Sequence, residues 1–332
     1  MVDKDLNFSL WLDFIEREFL ENKFGELVES GVVNGATSNP SIFASAITGS
    51  SAYAEQISRL SGATPKEKYE ALAVSDIKRA AEILRPLYDE GNDGFISIEI
   101  DPFLSHNSEK SIEEALRLFK AIGEPNVMIK VPATDAGYPV MRELLGMGIC
   151  VNATLVFSPE QARACLKAMR DGIDEFENTG GERVNAVISI FVSRFDRMLD
   201  PILEEKGMHT GLTGIMNAAK IYNLIQRDRI PSVRALFAST GVKDDSLPED
   251  YYIRQLYASH SVNTAPLSTI EAFERGEEPI PTLPFEESEI EEYFESLEKA
   301  GISMQEVRYR LLEDGLKSFE ESFAQMLKGL ES

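Results

Sequence analysis

What this sequence has little of narrows its chemistry first. Its two cysteines, Cys150 and Cys165, are too few for a disulfide framework, so a reduced, cytoplasmic protein is expected. His106, His209 and His260 show no ligand spacing with each other, the cysteines or the carboxylates, and no metal is expected. No apolar segment approaches the roughly 20 residues that a membrane-spanning helix needs. The opening Met1-Val2-Asp3-Lys4-Asp5 lacks a basic stretch followed by an apolar one, so export is not expected. Cations are scarce as well: 33 Lys and Arg against 56 Asp and Glu give a formal charge of −23. That balance argues against nucleic acid or an anionic membrane as partner. An anionic substrate would need a few placed cations to overcome the global field locally.

What is present suffices for a large core. The 43% hydrophobic and 27% charged residues are ordinary for a globular chain, which excludes disorder as the default. One stretch carries an anomaly. In Val127-Met128-Ile129-Lys130-Val131-Pro132-Ala133-Thr134, a lysine interrupts an apolar, β-branched run of the kind buried on both faces of a sheet. Removing an ammonium from water is costly, and burial favours the neutral amine, which attacks carbonyls. The bland alternative is a lysine snorkelling to solvent at a strand end or pairing with a carboxylate.

Read in order, strands are expected at Leu10–Phe14, Val32–Thr37, Phe95–Asp101, Val127–Thr134, Gly148–Phe157, Val184–Val192, Val233–Ala238 and Ser261–Thr264. Helices are expected at Ile15–Ser30, Ser51–Leu60, Pro65–Tyr88, Ser111–Ile122, Gly137–Leu145 and Pro159–Glu177, with an acidic helical tail from Leu267. In that tail Val307, Leu311, Leu312, Leu316, Phe319 and Phe323 are spaced as one helical face, and Glu286–Glu298 reads as a solvated one. Eight strands alternating with helices point to an α/β (β/α)₈ barrel. The rival, a doubly wound open sheet, is weakened because no Gly-x-Gly-x-x-Gly turn follows the first strand. The whole of 1–332 reads as a single domain, with the barrel over about 8–266 and a helical extension over about 267–332. Polar residues near the C-terminal strand ends of such a barrel face the active site. Here these are Asp13, Asn39, Glu99, Lys130, Asn152, Thr154, Ser189 and Ser239.

Several segments together carry a family resemblance. Gly35-Ala36-Thr37-Ser38-Asn39-Pro40-Ser41-Ile42-Phe43 and Val127–Gly137 resemble transaldolase signatures. Ile98–Asp101, Val151–Ser158, Ile188–Arg194, Ala238–Lys243 and Ser261–Pro266 follow in the family's order, the last two resembling its long bacterial branch. The resemblance implies a cofactor-free exchange of a dihydroxyacetone unit between sugar phosphates. Fructose 6-phosphate or sedoheptulose 7-phosphate would donate; erythrose 4-phosphate or glyceraldehyde 3-phosphate would accept, in the non-oxidative pentose phosphate exchange. It leaves open whether the chain is a monomer or a homodimer.

The chemistry asks for such residues in its own right. Lys130 is the imine former, and the iminium would serve as electron sink for carbon–carbon cleavage. Proton transfers need a carboxylate within reach, and Glu99 and Asp13 are the two candidates. By resemblance, Glu99 with Thr154 handles a water during imine formation, while Asp13 takes the proton of the C4 hydroxyl. Asn39, Asn152 and Ser189 suit a polyhydroxylated chain, although Asn39 before Pro40 is also an ordinary turn former. Phe191 lines the site by resemblance, whereas an aromatic there, like Trp11, could simply be core. Arg194 offers a fork for phosphate, and Ser239 and Lys243 follow the seventh strand, where barrels commonly hold phosphate. The sequence departs from the pattern twice. Gly241-Val242-Lys243 stands where many relatives have an arginine soon after the serine, and Ile190 replaces a frequent proline. The rivals are an aldolase that releases free dihydroxyacetone, a hydrolase using Asp13 and Glu99, and a sugar-phosphate binding protein with no need of Lys130.

Overall fold

The computed structural model describes residues 3–243 and 246–331. Among these, eight parallel strands close a barrel in sequence order: β1 (Phe8–Leu12), β2 (Gly35–Thr37), β3 (Phe95–Glu99), β4 (Val127–Pro132), β5 (Val151–Val156), β6 (Ala186–Phe191), β7 (Val233–Ala238) and β8 (Ser261–Ala265). The expected barrel is therefore present. Every residue of β4 and β6 is buried, as continuous apolar runs require when helices cover one face and the barrel interior the other. No helix among the described residues is long and apolar enough to cross a membrane.

Local sequence explains where the helices begin. Thr64 with Glu67, and Ser158 with Gln161, form reciprocal capping boxes, each followed by a proline at the first helical position. They open the helices Pro65–Asp89 and Pro159–Asn178. Four expectations need correction. The first strand is Phe8–Leu12, so Asp13 lies just past its end. A helix, Pro40–Gly49, follows β2 directly, because Asn39 caps it: its Oδ1 accepts the Ile42 amide at 3.0 Å. The expected helix over Ile15–Ser30 is Arg17–Phe19, a π-helical turn Leu20–Phe24, and Gly25–Glu29. The tail is not helical throughout, since residues 276–286 are non-helical between the helices Leu267–Arg275 and Glu287–Lys299. Helices Ser193–Glu205 and Thr213–Asp228 also occupy the interval between β6 and β7, for which no helix was read.

The two ends of the barrel differ in kind. At the N-terminal end Trp11 is fully buried, donates to Asp93 Oδ2 at 2.9 Å, and packs where a Cβ on Gly35 would stand 2.6 Å from its ring. Arg234 completes that plug, bonding Asp93 at 2.5 Å and Ser9 at 3.1 Å. Trp11 is thus core. The helix Met304–Gly329 crosses the opposite end, burying Val307, Leu311, Leu316, Phe319 and Phe323, with Leu312 half-buried. Its anchors are the Ser41–Ser322 hydroxyl pair at 2.9 Å and the Lys68 ammonium, which donates to the Leu330 carbonyl at 2.8 Å.

Candidate active site

Strand register gathers the central side chains. Glu99 on β3 is paired with Lys130 on β4, and Lys130 with Asn152 on β5, so three polar residues stand abreast inside the barrel. Asn152 is fixed on both sides: it donates to Ser97 Oγ at 3.0 Å and accepts from Ser189 Oγ at 2.6 Å. A cleft of about 190 Å³ opens above this row. Its walls include Asp13, Asn39, Lys130, Ser189, Phe191, Arg194 and Ser239, seven of the eleven residues singled out from sequence. Glu99, Asn152 and Thr154 lie buried beneath it, and Lys243 lies elsewhere.

Lys130 is only 5% exposed, and that number decides between its two readings: it does not snorkel. Its Nζ donates to the Ser38 carbonyl at 3.1 Å and stands 3.7 Å from Glu99 Oε2, an ion-pair distance but not a hydrogen bond. Neither Glu99 oxygen nor the Thr154 hydroxyl has a hydrogen-bond partner among the described residues. Buried polar atoms in that condition are available to a water or a substrate hydroxyl. Burial pushes the Glu99 carboxyl up to about 7 against the pull of Lys130 and Arg194. The same cause raises Asp13, opposed by Lys130 and by the Thr37 hydroxyl that donates to its Oδ1 at 2.7 Å. Thr37 is in turn 2.7 Å from the Thr264 hydroxyl. Two carboxyls that resist ionisation therefore flank one amine.

Thr154 sits in a β-bulge. The β5–β6 register shifts between Ala153 and Val156, and Leu155 adopts φ 56, a left-handed conformation unusual for leucine. Bulges re-aim side chains beside active sites, and this one places Thr154 within the unpaired stretch.

At the opposite end of the cleft, the Arg194 guanidinium lies 5.1 Å from the Phe191 ring centroid. Burial and the nearby Arg197 pull its pKa down to about 10, while Asp314 and Glu99 favour its charge. Ser239, also left-handed at φ 56, presents its hydroxyl 3.0 Å from that of Ser193. This serine pair separates the cleft from a second cavity of about 780 Å³, whose walls include Ser193, Arg197 and Tyr252. Exposed Lys243 lines that second cavity, not the cleft.

Sequence reasoning passed over Thr37, Ser41, Thr264 and Phe319 as cleft residues. Thr37 was accessible by alternation, standing two residues after Gly35 on the same face of β2. Phe319 was visible only as one member of an apolar stripe.

The chain's likenesses agree with this geometry. Residues 10–330 match the family model described as transaldolase/fructose-6-phosphate aldolase. A "Transaldolase" of Campylobacter jejuni subsp. jejuni serotype O:23/36 (strain 81-176) is 49% identical over 98% of this chain and 99% of its own. A "Transaldolase" of Helicobacter pylori (strain Shi470) is 44% identical over 96% of this chain and 98% of its own. The chain belongs to the transaldolase/fructose-6-phosphate aldolase family.

Proposed function

We propose that this chain is a transaldolase, moving a dihydroxyacetone unit from a ketose phosphate to an aldose phosphate through an imine on Lys130. One observation carries the reading: a fully enclosed lysine amine at the floor of the cleft, flanked by two carboxyls that burial holds toward their neutral forms. The amine adds to the donor's C2 carbonyl, and the carbinolamine loses water to give the iminium. Glu99, titrating near 7, can supply and then recover the protons of that step through a water shared with Thr154. The C3–C4 bond then breaks, its electron pair passing into the iminium, while Asp13 accepts the C4 hydroxyl proton and an aldose leaves. The resulting enamine attacks the acceptor aldehyde, and water releases the new ketose.

Asn39, Asn152 and Ser189 hold the hydroxyls, with Phe191 forming the wall beneath Arg194. Arg194 and Ser239 hold the phosphate. Lys243, on the far side of the serine pair, is assigned an outer role, drawing anions toward the mouth of a strongly acidic protein. The barrel and its helical extension act as one domain, and the two buried free thiols suit a reduced, cytoplasmic setting.

The test is borohydride reduction with fructose 6-phosphate, followed by intact and peptide mass spectrometry. The expected product is a reduced dihydroxyacetone adduct on the peptide bearing Lys130, absent from Lys130→Met. An adduct on another residue, or transfer activity retained by Lys130→Met, would overturn the assignment.

A further inference from the structure

Gly315 lies in the middle of the 26-residue helix Met304–Gly329, four residues before Phe319, on the face turned toward the cleft. A glycine inside a helix costs roughly 1 kcal/mol relative to alanine, so its place there asks for a packing reason. The reason is proximity. A Cβ at position 315 would stand 3.0 Å from Leu155 Cδ2, 3.3 Å from Arg194 Nη1 and 3.5 Å from Phe157 Cε2. These three neighbours are not equally able to yield. Leu155 and Phe157 are fully buried, Leu155 is held in a left-handed bulge, and Phe157 packs on Phe191 at 5.2 Å between centroids. Arg194 is half-buried and borders the open cleft. Added volume at 315 would therefore be relieved by moving the guanidinium, which already has the Phe191 ring on another side.

We infer that Gly315 is a positioning residue: the bare backbone of the C-terminal helix sets where the Arg194 guanidinium stands, and so tunes recognition of the donor's phosphate. The inference rests on the reading of Arg194 as the phosphate-binding cation. It makes the extension part of the site, Gly315 acting through Arg194 while Phe319 walls the cleft one turn further on.

The test is a graded series, Gly315→Ala and Gly315→Val, assayed beside Arg194→Gln with fructose 6-phosphate and with unphosphorylated fructose as donors. KM for fructose 6-phosphate is expected to rise about threefold with alanine and about tenfold or more with valine, kcat and the fructose kinetics changing less than about twofold. Alanine improves intrinsic helix propensity, so thermal unfolding of that variant separates loss of fold from displacement of Arg194. If Arg194→Gln raises KM for fructose 6-phosphate but the Gly315 variants do not, the inference fails and the phosphate reading stands. A KM that rises equally for both donors in the series would make Gly315 merely structural and also overturn it. If Arg194→Gln leaves discrimination between the donors unchanged, the phosphate reading itself fails.

Discussion

Glu99 shows how far one residue's surroundings can move it from its ordinary behaviour. Its nearest cation stands at 3.7 Å, too far to hydrogen-bond, and burial raises the carboxyl from 4.5 to about 7. The folded state thus binds a proton that the unfolded chain has already released between those two values. The stability this contributes is complete below about pH 4.5 and is lost as pH rises through 7. Glu99→Gln removes the titration, so its stability relative to the parent should climb by about 3 kcal/mol across that window and level off above it. Denaturant unfolding of both proteins at a series of pH values measures the difference; a gap that stays constant from pH 4.5 to 8 would refute the assigned shift. Asn39 teaches a different lesson at this scale. Its turn-forming and substrate-facing readings are compatible, because Oδ1 caps the helix Pro40–Gly49 while the residue also borders the cleft.

Among the elements, the last helix deserves the most weight. Its far end is held by Lys68, a buried ammonium donating to the Leu330 carbonyl, where a helix presents unpaired acceptors and negative partial charge. Charge-assisted bonds of this kind contribute about 1.5–3 kcal/mol, and Lys68→Met should cost roughly that amount. Hydrogen exchange should then quicken in the terminal turns of Met304–Gly329 and leave the amides of β4 unchanged. Uniform loss of protection throughout the barrel would instead make Lys68 a core residue of general importance. The stripe from Val307 to Phe323 made this helix legible in the sequence. The contact of Gly315 with Arg194 was not, because it joins segments more than a hundred residues apart. The shorter Pro40–Gly49 was missed for a local reason: its Asn-Pro start reads equally well as a turn and as a capped helix.

For the molecule as a whole, charge and function pull in opposite directions. A net −23 repels the anionic substrates proposed for it, while the cation assigned to phosphate is half-buried at the cleft. Salt screens long-range repulsion between solvated charges more than it screens a sheltered contact. Accordingly, kcat/KM for fructose 6-phosphate should rise modestly as ionic strength goes from about 0.01 to about 0.1 M, where the Debye length contracts from about 30 to about 10 Å. Unphosphorylated fructose should show no such rise. A steady fall for the phosphorylated donor would mean that exposed cations such as Lys243 dominate capture.

The sequence by itself determined the barrel, through eight apolar segments at regular intervals, and it marked Lys130 by setting a lysine where burial forbids one without a partner. It also marked Asp13 and Glu99, since carboxylates at strand ends are simple to read once the strands are placed. Only the tertiary structure decided what stands beside what. Register put Glu99, Lys130 and Asn152 abreast; the bulge at Leu155 displaced the pairing around Thr154; and the serine pair left Lys243 outside the cleft that Arg194 borders. Periodicity reports which face a residue takes within its own segment, whereas burial of charge and the separation of two side chains depend on segments that meet only when the barrel closes.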